Sequence, residues 1–465
     1  MRKRCYMLPI AALLLTACSS NEDLTENQEP MSQDYIMLRP MTTGTTRGVV
    51  TTATNFREFK VNVTAGTAVP STYQTFQDYV KSTDGTVWNT YADAAGTTAD
   101  RRLWPETGTL NFDAFAPSNL VDAYTVKDFP ANQEDVMVAY ETGSKAANLV
   151  TGVPLYFRHV MSQISVLATN MDTENYEVKV LGVKLVNLNG KGTLAHPAAS
   201  TGSSFSWDNY TPWSSLNTLN SYMNKAGGAP TATSITTSRV SQAITLNGTA
   251  IDITFGNGPM LVLPQTLTAA DLTNVNTTGA YLAVLVQIKT KQTIYEADHT
   301  TIRFQANEVI YPRPKTAASM AYLADPAASA AAVGSFGFAA VPINTALKPG
   351  NKYTYTINFF APSGGGCGWV DPMPSNPDVQ HLSSASDPDV DLNPGVRNPT
   401  DPTQAYNPTS NPEYNITNTT YYDGITHVAP TDNLAPGAEI VNSDRPIYFT
   451  VEVDSWTNSN QNLNM

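Results

Sequence analysis

Stretch after stretch of this chain alternates apolar and polar residues with a period of two. Phe59, Val61 and Val63 are separated by Lys60 and Asn62, and Tyr353, Tyr355, Ile357 and Phe359 by Thr354, Thr356 and Asn358. The same pattern runs through Ile164, Val166 and Ala168, through Val178 and Val180 around Lys179, and through Ile447, Phe449, Val451 and Val453 around Tyr448, Thr450 and Glu452. Successive side chains of a strand point to opposite faces, so each run has one apolar face that a second sheet must cover. Tyr281 to Ile288 is nearly all apolar and predicts a central strand buried on both faces. No long 3.6-residue periodicity competes with these strands. Residues 214–226 and 318–333 are the best places for a short helix. With 31 Pro and 28 Gly marking turns, the pattern predicts an all-β chain of β-sandwich architecture.

The first residues have a different logic. Arg2, Lys3 and Arg4 precede a short apolar run from Met7 to Leu15, and Leu15-Thr16-Ala17-Cys18 follows. The run is too short to span a bilayer as a helix and reads as a signal peptide, residues 1–17. Small residues ahead of a Cys predict a lipoprotein, cut before Cys18 after its thiol is acylated. Residues 18–47 are then a tether and propeptide. Within them Tyr35 to Leu38 form a brief β-like run, and Thr42 to Thr46 form a small-residue linker ahead of Arg47 and Gly48.

Charge and cysteine narrow the function classes. The formal net charge is -13; loss of residues 1–17 removes three of 27 basic residues and leaves 24 against 40 acidic ones, a net of -16. Such a surface repels nucleic acid, so no nucleic-acid partner is expected. Of the three Cys, Cys5 leaves with the leader and Cys18 carries lipid, so Cys367 stands alone. An exported fold without a disulfide must be held by its core.

The length suits two domains or three. The reading adopted is an N-terminal β-sandwich domain over 48–155 and a C-terminal one over 156–465. Within the second, residues 362–445 hold 12 of the 31 prolines and no Lys, and read as a long surface insertion or a loop between two strands.

No catalytic, cofactor or metal chemistry is expected. None of His159, His196, His299, His381 and His427 sits at metal-ligand spacing, and His159 reads as a partly buried structural residue. Gly364 to Gly368 follows a strand and offers no helix N-terminus to a phosphate. Asp387, Asp389, Asp391 and Asn393 lack the glycine that a calcium loop places at its sixth position, and read as a solvated acidic loop. Trp207, Trp213 and Trp369 are the aromatics that a glycan-binding surface protein would stack on sugars; the alternative for each is core or turn packing.

Five stretches together resemble the fimbrillin-like family of Bacteroidota lipoproteins. They are Trp104-Pro105 with Leu110, Phe112 and Phe115-Ala116-Pro117; Val153 to Val166; Val180 to Leu194; Met260 to Gln265; and Pro349 to Ile357 with the distant Ile447 to Trp456. The acidic stretch after Cys18 likewise resembles a surface-export signal. The resemblance implies two transthyretin-like β-sandwich domains and an assembly route. A subunit reaches the outer membrane as a surface-exposed, lipid-anchored protein with an N-terminal strand filling a groove. A surface protease, often Arg-specific, removes that strand, and a strand of another pilus subunit fills the groove in the fimbria. Arg47 is the candidate cleavage site, with Arg39 and Arg57 as competitors. Ile447, Phe449, Val451, Val453 and Trp456 are the donor-strand candidates. A receptor on a host or bacterial surface would complete the partners. The alternative is a monomeric, surface-anchored glycan-binding lipoprotein.

Overall fold

The computed structural model describes residues 34–43, 56–85, 87–127, 130–225, 243–256, 258–272, 277–295, 299–300, 302–304, 306–307, 309–311, 337–361, 369–370, 421–422, 427–428, 448–455 and 460–461. Nearly every element among them is a strand. The first are β1 (Leu38–Thr43), β2 (Glu58–Ala65), β3 (Phe76–Lys81), β4 (Asn89–Tyr91), β5 (Leu110–Ala116), β6 (Ala123–Thr125), β7 (Met137–Gly143) and β8 (Val153–His159), with the one-turn helix α1 (Lys145–Asn148) before β8. There follow β9 (Ser162–Asn170), β10 (Tyr176–Leu194), β11 (Trp213–Lys225), β12 (Ile244–Thr245), β13 (Ile251–Asp252), β14 (Met260–Val262) and β15 (Tyr281–Thr290). The last are β16 (Ile294–Tyr295), β17 (Ile302–Phe304), β18 (Val309–Tyr311), β19 (Gly337–Pro342), β20 (Asn351–Phe359), β21 (Trp369–Val370), β22 (Tyr421–Tyr422), β23 (His427–Val428), β24 (Tyr448–Ser455) and β25 (Asn460–Gln461).

The first sheet runs β25-β1-β8-β7-β5-β2-β3-β4. In it β8 runs parallel to β1 from Val153 to Phe157 and meets β7 only at Arg158 and His159. The inward residues of β2 and β5, among them Phe59, Val61, Val63 and Phe112, meet Leu155 and Phe157 of β8 in one core. The rings of Phe59 and Phe157 lie 5.0 Å apart, edge to face, a favoured aromatic geometry.

The second core lies between two further sheets, β11-β10-β15-β19-β21 and β13-β9-β20-β24. Ile164 and Val166 of β9 and Tyr353, Tyr355 and Ile357 of β20 face Val178, Val180, Val284 and Val286 of the other sheet, as their alternation predicts. β15 is the expected central strand. It lies between β10 and β19, with Leu282, Val284 and Val286 in this core and Tyr281, Ala283 and Leu285 in a smaller cluster on the opposite face.

One sequence expectation is overturned. Residues 214–225 form no helix; they belong to β11, which pairs antiparallel with β10. The reason lies in the backbone. Ser215 and Thr218 adopt left-handed conformations (φ 53° and 62°), and the β10–β11 register shifts between Lys191 and Thr193 and again between Leu185 and Leu188. The first shift inserts a residue into β11 and the second inserts one into β10. Trp213, Leu216, Leu219 and Tyr222 fall three apart and mimic a helical stripe. The other expected helix, 318–333, lies outside the described residues. Of the 362–445 insertion, the described parts are β21, which extends the sheet beside β19, and the β22–β23 pair.

The two cores are bound together. β7 puts Met137 and Ala139 in the first core and Val138 in the second, and β5 divides Ala114 and Phe115 in the same way. The loop after β10 then straps the outer face of the first sheet. Arg158 Nε–H and Nη2–H donate to the carbonyls of Thr201 and Gly202, both at 2.8 Å, while Ser200 donates to Glu141 at 2.6 Å.

Candidate functional site

The strongest candidate is the seat of β1. Its backbone is held on two sides by segments distant in sequence. Leu38 to Thr42 pair in parallel with Val153 to Phe157 of β8. Just before them the chain shifts partner. Ile36 N–H donates to the Arg102 carbonyl (2.7 Å), Trp104 N–H donates to the Asp34 carbonyl (2.8 Å), and Tyr35 bridges Leu103. The segment therefore sits in a slot between residues 101–104 and 152–157.

The floor of the slot is the first core. Leu38 is buried in it and Ile36 packs partly against it, while Met41, buried as well, falls on the opposite face of the strand and outside this core. Trp104 closes one end, its ring 5.9 Å from Phe112. Full burial of Leu38 contributes about 1.5–3 kcal/mol, with a smaller share from Ile36. Pro40 lies within β1 opposite Leu155. Proline cannot donate to a ladder and is confined to edge strands, so β1 is built as an edge piece.

The walls are fixed by local chemistry. Ser144 caps α1, its hydroxyl accepting from Ala147 N–H at 3.3 Å, which sets Lys145 over the mouth of the slot. Lys145 Nζ lies 2.5 Å from an Asp34 carboxylate oxygen and 3.4 Å from Glu106. The hydrogen bond that Lys145 donates to Asp34 pushes the ammonium pKa up. Gly152 has φ +71°, and a Cβ there would come within 3.3 Å of the Met37 carbonyl, so this wall requires glycine. Arg102 reaches back to Asp100 at 2.5 Å and to the buried Asp78 at 3.6 Å. Burial lifts the Asp78 carboxyl to about 6, with Arg102 opposing the shift. Arg101 stands 5.7 Å over the Tyr35 ring.

The sequence-predicted residues are distributed around this seat. Cys18, Arg47 and Cys367 lie outside the described residues, as do the 387–393 acidic run and the 364–368 glycines. Of the donor candidates, Ile447 and Trp456 are also outside. Phe449, Val451 and Val453 stand on β24, opposite Ile357, Tyr355 and Tyr353 of β20, so in this chain the segment pairs as an edge strand of its own sheet. Among the glycan candidates, Trp213 is buried and its indole N–H donates to the Val160 carbonyl at 2.7 Å, which withdraws it from any sugar. Trp207 packs between Phe205 and Tyr210 and against the second core. Trp369 lies on β21.

His159 is buried and hydrogen-bonded through Nδ1 to Asp135 at 2.8 Å, as a structural histidine should be. His196 has a role the sequence did not reveal. It sits between Asp113 (2.9 Å) and Asp122 (3.1 Å), and the Asp113 hydrogen bond raises its pKa. Among the described residues, no group of three or more His, Cys, Asp or Glu could hold a metal ion, and no helix is long and apolar enough to cross a membrane.

The fold defines an all-β protein built from β-sandwich layers, with its first strand seated at the side of the first core. More particularly, residues 46–365 match the fimbrillin-like family, and the chain belongs to it. It is thus a surface-exposed pilus or adhesion subunit, structural and not enzymatic. Among solved structures it is similar to a fimbrial protein from Bacteroides vulgatus, at 14% identity over 70% of this chain and 94% of that one, with a TM-score of 0.39. It is also similar to a candidate cell adhesion protein from Bacteroides ovatus, at 13% identity over 71% and 94%, with a TM-score of 0.36. No curated protein matches it.

Proposed function

We propose that this chain is a lipoprotein precursor of a pilus subunit, activated by loss of β1. The lipid on Cys18 holds it at the outer membrane. An Arg-specific surface protease cuts after Arg47, four residues beyond the end of β1, and the lipid leaves together with the strand. The vacated slot then takes an extended strand from another subunit, with the 447–456 segment as the donor candidate. The observation that carries this reading is the seat itself. β1 lies on the N-terminal side of a small-residue linker and fills a slot with Leu38, with Ile36 packed beside it, while β8 holds its backbone. Its departure would expose a row of β8 peptide groups and an apolar floor, which together favour the addition of a new strand. The two-domain division at 155/156 belongs to the same reading; β8 runs unbroken across that point.

The test is the N-terminal residue of the protein in material sheared from intact cells. A chain starting at Gly48 is expected. Recovery of acylated Cys18 alone, with nothing sheared free, would overturn the proposal and leave an anchored, non-polymerising lipoprotein.

A further inference from the structure

β1 has a neighbour on each side. One is β8, the wall of the slot; the other is β25, near the C-terminus, with Thr42 opposite Gln461 and Thr43 opposite Asn460 in antiparallel pairing. β25 follows closely on β24, which ends at Ser455. An extended chain advances about 3.3 Å per residue, so the connection from Ser455 to Asn460 reaches about 17 Å at most. The C-terminal end of β24 is therefore tethered to β1 on a short lead.

At that end the side chain of β24 that is described stands open to solvent. β24 is an edge strand, held by β20 through the eight pairs from Asn351–Ser455 to Asn358–Tyr448. Val453 is 51% exposed, although its register partner Tyr353 is only 2% exposed. The apolar side of the strand is open where the lead begins, and peeling would start there.

We propose that β1 is a single latch on two edges: it fills the slot on β8 and, through β25, pins the C-terminal strand, so that its release opens the slot and loosens β24 in one event. This rests on the proposed loss of β1. The logic is that of protection. A loose strand with an open edge pairs indiscriminately, and one latch keeps the donor segment docked until the chain's own slot is also opened. A two-residue pairing is weak alone. It holds because the short lead keeps β25 at high effective concentration beside β1, and it has nothing to bind once β1 is gone.

The test is amide hydrogen exchange on the full unacylated chain from Cys18 to Met465, before and after cutting at Arg47. In the uncut chain the Asn460–Gln461 amides are expected to exchange at least about tenfold more slowly than in a free peptide of the same sequence. After the cut they should reach the free rate, and β24 amides should accelerate severalfold, while β8 amides report the departure of β1. If β8 stays protected after the cut, the slot-opening reading has failed, and the latch is judged on the uncut Gln461→Pro chain. Proline denies β25 a donor and restricts the residue before it, leaving the β1–β8 ladder untouched. There the β24 amides should speed up with β8 unchanged. Free-rate exchange at Asn460–Gln461 in the uncut parent overturns the latch, as does β24 exchange that Gln461→Pro leaves unmoved.

Discussion

Replacing Leu38 by alanine should weaken the hold of β1 without touching the body that it leaves. Leu38 is 6% exposed, belongs to the first core and stands opposite Val153. Leu→Ala in a core costs roughly 2–5 kcal/mol, least where the surroundings can close. An edge strand permits such closure, so about 2–3 kcal/mol is expected here, equivalent to a rise in dissociation constant of about 30- to 150-fold. The assay uses the chain cut after Arg47, with the 18–47 segment held non-covalently and a fluorophore on the Cys18 thiol, Cys367 being replaced by Ser. Dissociation and rebinding of the labelled segment give the constant directly. The urea midpoint of the body alone should be the same for parent and variant, because Leu38 has left it. A change of less than about threefold would mean that Leu38 is not where the binding energy lies. That result refutes the reasoning.

Three further outcomes follow from the contacts described. Lys145→Ala removes the ion pair to Asp34; because the pair is open to solvent, segment affinity should fall no more than about fivefold at low salt, and the difference should vanish near 1 M salt. Asp135→Ala strips a buried partner from His159 and should lower the stability of the whole chain by about 1–3 kcal/mol in urea unfolding, with segment affinity in the folded chain unchanged. His196 has a folded pKa raised above its unfolded value, first by the hydrogen bond to Asp113 and further by Asp122, with burial opposing. Its stabilisation is fully present below about pH 6.5 and is lost as pH rises through the raised folded value. Urea midpoints across that window should fall more steeply for the parent than for His196→Gln, and parallel curves would remove His196 from the account.

Much of the fold is written in local pattern. Alternation at Phe59, Val61 and Val63 or at Tyr353, Tyr355 and Ile357 is enforced by a buried face, and a one-residue slip would expose every one of these side chains. β11 does not announce itself, because nothing in Ser215 or Thr218 signals the left-handed conformation that breaks its alternation. The site is legible only in part. A short β-like run at Tyr35 to Leu38 points to a separate first strand, but the strand is Leu38–Thr43, sharing only Leu38 with that run and taking in the first two linker residues. Its slot could not be read, since Arg102, Trp104, Lys145 and Gly152 meet residues 34–38 only after more than sixty residues of intervening chain have folded. The same distance hid the seating of His196 between Asp113 and Asp122.

The sharing of β5 and β7 between the cores has a mechanical consequence. β7 puts Met137 and Ala139 in the first core and Val138 in the second, and β5 divides Ala114 and Phe115 in the same way. The two strands are joined by seven residue pairs, from Leu110–Gly143 to Ala116–Met137. Tension between the two halves of the subunit would load this shared ladder at once, whereas a flexible joint between the cores would take up slack first. A fibre built from such units would transmit a pull with little stretch inside each one.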